Sequence, residues 1–326
     1  DGHDWIRWTQ EHAEVPVFAT AAYLWVVFNV PSMLKAREPF QIKPVTALWN
    51  LLLATFSVVG STRTVPWLVS SIRAHGLDWT VCTDPTEWYM RGPVALWVGL
   101  FIFSKIPELL DTFFLVLQKK RVIFLGWFHH TTVLLYCWHA YHNRIGPGLW
   151  FATMNYCVHS VMYTYYFLME MKLRKLASMF APFITTLQIL QMAVGAAVTV
   201  RAAVLYTRGG EAMCYTDPAN YKLGLGMYAS YFVLFVALFW QKYVVKTHKP
   251  ERVAGAGAGA VRVRSKEEDG TLCGVGLHTN DGAGFFHSSA QQRTRAAPPR
   301  PRRDYSSAYT SSEGEPDSAA QAAKNK

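Results

Sequence analysis

The sequence has few acidic residues, and charged residues of both signs make up only 17% of the chain. Asp and Glu number 22 against 32 Lys and Arg, which gives a formal net charge of +10 at pH 7. The polar residues are also unevenly spread, because residues 15–245 are far more apolar than an ordinary soluble domain, whereas the chain from residue 250 onward is polar. This contrast excludes a purely soluble protein and indicates a membrane protein with a polar tail.

Long apolar runs dominate the first part of the chain. A helix that crosses a bilayer needs roughly 20 apolar residues, and seven runs reach this length. They are residues 15–34, 45–72, 94–117, 122–141, 149–169, 179–206 and 223–245. The second and sixth runs are longer than a bilayer requires, which predicts tilt or an extension beyond the membrane. No cleavable signal peptide is expected before the first run.

The excess of Lys and Arg could suggest a nucleic-acid partner, but its position favours a topology signal. The connections after the first, third and fifth spans read LKAREPFQIK, LQKKR and EMKLRK, and the segment after the seventh span is also basic. Cytosolic loops are enriched in Lys and Arg. We therefore expect a lumenal N-terminus, a cytosolic C-terminus and no nucleic-acid partner.

Cysteine is scarce, with five residues in the chain. Cys137 and Cys157 fall within spans and are interpreted as small buried apolar residues, whereas Cys273 lies in the tail and should be reduced. Cys82 and Cys214 follow the second and sixth spans, on the side that the charge pattern makes lumenal, where oxidation is expected. A disulfide between Cys82 and Cys214 is therefore predicted.

The composition divides the chain into three regions. Residues 1–14 form a lumenal N-terminal segment, residues 15–249 a seven-helix domain, and residues 250–326 a cytosolic tail. The tail contains GAGAGA and RAAPPRPRR. Such a composition cannot bury enough apolar surface to offset the entropy lost on ordering, so we expect the tail to be disordered.

Polar residues inside the apolar runs need an explanation, because polar and charged groups are costly at membrane depth. The third span places Lys105, Glu108, Asp111 and Thr112 on roughly one helix face, and Pro107 between them predicts a kink. The cluster either pins neighbouring helices through an ion pair or takes part in catalysis, and the two roles are compatible.

The next three spans add imidazoles, phenols and amides. The fourth span carries adjacent histidines in the stretch FLGWFHH. The residues concerned are His129 and His130 of the fourth span, Asn155, His159, Tyr163 and Tyr166 of the fifth, and Gln188 and Gln191 of the sixth. Polar contacts that merely join helices would not need three imidazoles together. A site in a common interior is therefore favoured.

Four sequence blocks resemble the signature of a known family. KIPELLDT, FLGWFHH, NYCVHSVMYTYY and TTLQILQ are similar to the blocks of the ELO family of very-long-chain fatty acid elongases, which are membrane 3-ketoacyl-CoA synthases. Their order and spacing match from about residue 15 to residue 245. Arg121 stands where elongases of polyunsaturated chains tend to carry Gln, so the resemblance is closer to the branch that extends saturated and monounsaturated chains.

The resemblance departs at Gly126, where the family's histidine box begins with His. His129 and His130 match the other two histidines of that box. We expect the missing imidazole to leave a void and to deprive a buried carboxylate, such as that of Asp111 or Glu108, of a donor. The expected result is a folded protein that binds acyl-CoA and condenses it more weakly.

The resemblance implies condensation of a long-chain acyl-CoA with malonyl-CoA to give a 3-ketoacyl-CoA, CO2 and CoA, with no metal and no cofactor besides these substrates. His129 would be the nucleophile, since a neutral imidazole can accept an acyl group. His159 would orient the malonyl unit or stabilise its enolate. Asn155 and His130 would donate hydrogen bonds to developing oxyanions. An acyl-enzyme and a direct condensation both remain open.

The resemblance further implies an all-α fold of seven transmembrane helices in the endoplasmic reticulum membrane. Spans two to four and five to seven would form two inverted halves around a tunnel, with CoA at the cytosolic mouth and the acyl chain toward the lumen. The residues assigned to CoA are Lys119, Lys120, Arg121, Lys172, Arg174, Lys175 and Lys242. The expected partners are the bilayer, the two substrates and other enzymes of the elongation cycle, and a homodimer is left open.

Three alternatives fit part of the pattern. A di-iron membrane desaturase or lipid oxygenase needs many imidazole or carboxylate ligands, and only His129, His130 and His159 are well placed for this. A seven-helix receptor or transporter fits the topology but gives the histidine and acidic blocks no particular role. An elongase homologue impaired through Gly126 is the third alternative.

Overall fold

A computed structural model describes residues 2–245, so the tail predicted for residues 250–326 lies outside the described residues. The regular structure of this part is helical, as the sequence predicts. The helices are α1 (Gly2–Glu11), α2 (Glu14–Met33), α3 (Lys43–His75), α4 (Leu77–Cys82), α5 (Pro85–Trp88), α6 (Gly92–Ser104), α7 (Leu110–Leu117), α8 (Phe124–His142), α9 (Gly148–Glu170), α10 (Arg174–Gly209) and α11 (Pro218–Phe239). Short 3-10 turns at Pro107–Leu109 and Gly210–Ala212 and a π-helical turn at Trp240–Val244 complete the set.

Each of the seven predicted spans corresponds to helical structure. Four helical segments of the described chain are long and apolar enough to cross a membrane by length and composition: Glu14–Met33, Lys43–His75, Arg174–Ala212 and Pro218–Val244. The number of seven crossings therefore stays a prediction. The second and sixth spans are long, as expected, with 33 residues in α3 and 36 in α10.

The third span is interrupted in its middle. α6 ends at Ser104, a 3-10 turn occupies Pro107–Leu109, and α7 begins at Leu110. Proline has no N–H for the helical ladder and clashes with the preceding turn. The predicted kink at Pro107 is therefore confirmed, and it falls between Lys105 and Glu108 of the polar cluster.

Six long helices close into a ring. α3 packs on α6, α6 on α8, α8 on α11, α11 on α10, α10 on α9, and α9 on α3. α2 lies outside the ring against α7 and α8, and α1 packs on α6 and α8. The two groups of three helices predicted from the sequence each form one side of this ring, and they meet where α3 contacts α9 and where α8 contacts α11.

The contact between α3 and α9 is close because a glycine faces an aromatic ring. A Cβ added at Gly60 would lie 2.5 Å from Cε1 of Tyr156. Tyr156 is 2% exposed, and its hydroxyl donates to the backbone carbonyl of Trp97 at 2.8 Å. The ring is thus fixed from α6, and only glycine lets α3 approach it.

One end of the ring is held by the predicted disulfide. Cys82 and Cys214 are bonded, with their Cα atoms 4.2 Å apart. The backbone N–H of Tyr215 donates to the carbonyl of Cys82, and that of Gly146 donates to the carbonyl of Tyr215, both at 2.8 Å. The connections after the second, fourth and sixth spans therefore meet at this end, which we call the disulfide end.

The opposite end gathers the basic connections. The ammonium of Lys119 donates to the backbone carbonyls of Lys35 and Arg37. The ammonium of Lys120 lies 3.6 Å from the carboxylate of Glu170. The connections after the first, third and fifth spans thus lie together, and we call this side the basic end.

Candidate active site

A cavity of about 860 Å³, its mouth included, lies inside the ring between α7, α8, α9, α10 and α11. The predicted site residues among those lining it are Asp111, Thr112, His129, His130, Asn155, His159, Tyr163, Tyr166, Gln188 and Gln191, and Gly126 lines it as well. Of the twelve residues predicted to be catalytic or supporting, only Lys105 and Glu108 are not among the lining residues. The prediction that the third to sixth spans turn polar groups to a common interior is confirmed.

A buried chain of polar contacts holds His159. The ammonium of Lys105 lies 2.6 Å from Oε1 of Glu108 and donates to Oδ1 of Asn155 at 3.2 Å. The amide nitrogen of Asn155 therefore faces Nε2 of His159, at 3.1 Å. Because an amide N–H can only donate, Nε2 accepts, and the neutral ring of His159 carries its proton on Nδ1.

A second buried group surrounds Asp111. The indole N–H of Trp49 donates to Oδ1 of Asp111 at 2.6 Å, and the hydroxyl of Tyr163 donates to Oδ2 at 2.7 Å. The hydroxyls of Thr112 and Tyr23 are 2.8 Å apart. Trp49 and Tyr23 were missed from the sequence, because a single aromatic residue inside an apolar span gives no signal of the carboxylate or hydroxyl it contacts.

His129 is supported from α11. Its ring centroid lies 4.8 Å from that of Tyr231, which is 1% exposed. The hydroxyl of Tyr231 donates to the backbone carbonyl of His129 at 3.1 Å and is also hydrogen-bonded to Thr132. His129 lines the cavity, and its Nδ1 is buried without a hydrogen-bond partner within the described part of the chain. Tyr231 is the third residue that the sequence did not reveal.

The structure partly corrects the interpretation of Gly126. The predicted void is confirmed, because a Cβ at this position would meet only Cγ1 of Ile123, at 3.9 Å. The predicted loss of a donor to a carboxylate is wrong. Both oxygens of Asp111 already accept hydrogen bonds, and Glu108 is bonded to Lys105. Other helices supply these donors, so neither carboxylate depends on residue 126.

The cavity reaches from the basic end to the histidines. The lining includes residues 122 and 123 of the loop before α8. Along α8 itself it runs from Leu125 to His130 and goes no further. Toward the disulfide end the lining residues of α9 and α10 end at Asn155 and Met192. The acyl path that the sequence predicts beyond the histidines is not part of this cavity, and it stays a prediction.

The basic residues assigned to CoA are placed differently from one another. Lys242 lines a smaller pocket of about 310 Å³ that shares Tyr166 and Gln188 with the main cavity. The other six residues, Lys119, Lys120, Arg121, Lys172, Arg174 and Lys175, line neither of these two pockets. They belong to the connections of the basic end, and their contact with CoA stays a prediction.

Residues 2–245 contain no set of side chains that fits the metal-dependent alternative. In this part of the chain, no group of three or more His, Cys, Asp or Glu is arranged so that it could hold a metal ion. A di-iron oxygenase needs several such ligands around two ions. His129, His130 and His159 share the cavity with one carboxylate, that of Asp111, whose two oxygens accept hydrogen bonds from Trp49 and Tyr163.

The sequence of the whole helical region matches a family of known proteins. The profile of the GNS1/SUR4 family, also designated ELO, matches residues 8–251. A Trypanosoma cruzi protein named very long chain fatty acid elongase 4 is 44% identical over 249 residues, which cover 76% of this chain and 86% of that protein. A Trypanosoma brucei brucei protein named fatty acid elongase 3 is 40% identical over 284 residues, which cover 80% of this chain and 93% of that protein. Human very long chain fatty acid elongase 6 is 38% identical over 245 residues, which cover 75% of this chain and 90% of that protein. The chain belongs to the GNS1/SUR4 family.

Proposed function

We propose that this protein condenses a long-chain acyl-CoA with malonyl-CoA to give a 3-ketoacyl-CoA two carbons longer, with release of CO2 and CoA. The names of the relatives support this reaction. The observation that carries it is a cavity in which the imidazoles of His129 and His159 face the same space, the second one held by Asn155 and Lys105.

His129 is proposed as the acyl acceptor. Its imidazole attacks the thioester carbon, the C–S bond breaks, and the departing CoA thiolate takes the proton that the acylated imidazolium gives up. The position of His129 in the cavity lining supports this role, because a substrate held in the cavity lies within reach of the ring and an imidazole can form a covalent acyl intermediate. The contacts of Tyr231 with the ring and backbone of His129 support a fixed orientation for the attack.

His159 and Asn155 are proposed to act on the malonyl unit. When the bond from C2 to the carboxylate breaks, CO2 leaves and the electron pair develops an enolate on the remaining thioester. The enolate carbon then attacks the acyl carbon, the C–N bond to His129 breaks, and the departing ring takes up one proton from solvent to become the neutral imidazole again. A donor on Nδ1 of His159, fixed by the hydrogen bond at Nε2, could stabilise the enolate oxygen. His130 would donate to the acyl oxyanion.

The remaining expectations are proposed together with this function. The protein would lie in the endoplasmic reticulum membrane with the disulfide end in the lumen and the basic end in the cytosol, where CoA would bind near Lys242. Saturated and monounsaturated acyl chains would be preferred. The other enzymes of the elongation cycle would use its product.

An impaired elongase homologue is the second candidate, and one observation favours it. Gly126 replaces an imidazole of the family box, and the space beside it is open. In this case the protein would still bind acyl-CoA in the same cavity without forming product.

The two candidates are separated by an assay of the full chain, purified in detergent or kept in microsomal membranes. Radiolabelled malonyl-CoA is supplied with a panel of acyl-CoAs of different length and saturation. The proposal predicts labelled 3-ketoacyl-CoA with saturated and monounsaturated long chains. Acyl-CoA binding without any labelled product would favour the impaired homologue, and neither binding nor product would reject both.

A further inference from the structure

At Gly126 the wall of the cavity has no side chain. Gly126 lies in the first turn of α8, three and four residues before His129 and His130, and these spacings place the three residues on one helix face. A rise of about 1.5 Å per residue puts Gly126 only about 5 Å along the axis from the histidines. Because Gly126 has no side chain, the cavity has room here for a small substituent on a substrate that is bound beside the imidazoles.

The bare wall is on the entrance side of His129. α8 begins at Phe124, directly after the basic connection, and the cavity lining includes Val122 and Ile123 of that connection. A substrate that reaches His129 from the basic end must therefore pass Gly126. Apart from the adjacent residues and the backbone of the same helix, the described part of the chain has only Cγ1 of Ile123 within 4 Å of a Cβ there, at 3.9 Å.

The chemistry of condensation decides which substrate atoms lie on this side. When the carbon–carbon bond forms, the acyl group is already at His129, and the malonyl thioester reaches it from the mouth. C2 of the malonyl unit must then be next to the acyl carbon and on the mouth side of it. The open space beside Gly126 is therefore closest to the substituents of C2 of the extender.

We infer that this site accepts malonyl thioesters that carry a small alkyl group on C2, and that Gly126 is the residue that permits it. The inference rests on the proposed condensation. With methylmalonyl-CoA, the bond between C2 and the carboxylate breaks, CO2 leaves, and C2 with its methyl group attacks the acyl carbon. Acyl-CoA, methylmalonyl-CoA and one proton thus give 2-methyl-3-oxoacyl-CoA, CO2 and CoA.

The experiment compares malonyl-CoA with methylmalonyl-CoA in the full-length protein, with one saturated acyl-CoA and product masses as the readout. The quantity measured is the ratio of kcat/KM for the two extenders within one preparation, so partial unfolding of a variant cancels. The variants are Gly126→Ala and Gly226→Ala. Gly226 is the matched control, because it is an exposed glycine of α11 with nothing within 4 Å of an added Cβ.

The wild-type protein should form the 2-methyl product. Gly126→Ala should lower the kcat/KM for methylmalonyl-CoA relative to malonyl-CoA by about tenfold, the lower end of the discrimination that one methyl group gives, because the new methyl group would take the space that the methyl group of the extender needs. Gly226→Ala should leave the ratio unchanged. An acyl-CoA with a methyl group on its own C2 tests which of the two substrates places its C2 beside Gly126. Its use relative to the unbranched acyl-CoA should not change in Gly126→Ala.

Several outcomes would overturn the inference. If malonyl-CoA gives product and methylmalonyl-CoA gives none, the inference fails while the proposed condensation stands. The same holds if Gly126→Ala lowers kcat/KM equally for both extenders, or if it changes the use of the branched acyl-CoA instead. If malonyl-CoA itself gives no product, the proposed condensation fails and the inference fails with it.

Discussion

At the scale of single residues, the protonation form of His159 follows from its neighbours. Lys105 donates to Oδ1 of Asn155, and this contact turns the amide nitrogen to Nε2 of His159. The charge of Lys105 is offset in turn by Glu108, 2.6 Å away. An ion pair in the third span thus sets which nitrogen of an imidazole in the fifth span can donate.

Gly126→His should raise both thermal stability and turnover. Any residue other than proline that replaces glycine inside a helix gains up to about 1 kcal/mol, and the open space at this position admits a side chain. One more hydrogen bond to a developing charge, worth about 1.5 kcal/mol, corresponds to about tenfold in rate. The measurements are the unfolding temperature and kcat with malonyl-CoA. A variant that expresses equally well but elongates no faster would mean that the box is built around glycine.

Tyr231→Phe should lower kcat by about fivefold and leave KM for acyl-CoA unchanged. The ring would still contact His129, but the hydroxyl that donates to its backbone and bonds Thr132 would be lost. A hydrogen bond of about 1 kcal/mol accounts for this factor.

The matched control for Tyr231 is Tyr228→Phe. Tyr228 is also buried on α11 but packs on Phe151, with ring centroids 5.4 Å apart. This variant should keep the wild-type kcat. Unchanged kcat in Tyr231→Phe, or an effect on KM alone, would show that Tyr231 does not position His129.

At the scale of helices, the contact of α3 with α9 depends on one glycine. Gly60→Ala would place a methyl group against the fixed ring of Tyr156 and force the two helices apart. Overpacking of this kind costs about 1–3 kcal/mol, and it should appear as a lower unfolding temperature. Gly226→Ala, on an exposed helix face, is the control that should not be destabilised. Equal unfolding temperatures for both variants would contradict the close contact seen here.

The helices themselves were predictable because hydrophobic length and the fixed rise of a helix determine them together. The sequence also predicted the break at Pro107 and the residues that meet in the cavity, since each polar face recurs at helical spacing. It could not predict the partners of Asp111, because Trp49 and Tyr163 reach it from different helices. It also misjudged Gly126, since the donors that satisfy a carboxylate are a property of the packed ring.

At the scale of the whole molecule, the disulfide joins the two halves of the ring at one end. It links residues separated by 132 positions in the chain. Replacing both Cys82 and Cys214 by Ser should destabilise the protein by about 2–5 kcal/mol, because the bond restricts a long loop of the unfolded chain. The measurement is thermal unfolding under oxidising conditions, and wild-type protein treated with a reductant should show the same loss. No difference from wild type would mean that the cysteines are not paired in the isolated protein.

The ring as a whole places the histidines at one end of a cavity that extends toward the basic connections, as far as residues 122 and 123. The central claim is that His129 carries the acyl group in the condensation. The direct test measures labelled 3-ketoacyl-CoA from His129→Ala and from His142→Ala, which alters the other end of the same helix α8. The account predicts that His129→Ala folds and forms no product, while His142→Ala elongates at the wild-type rate. Near-normal elongation by folded His129→Ala would contradict it.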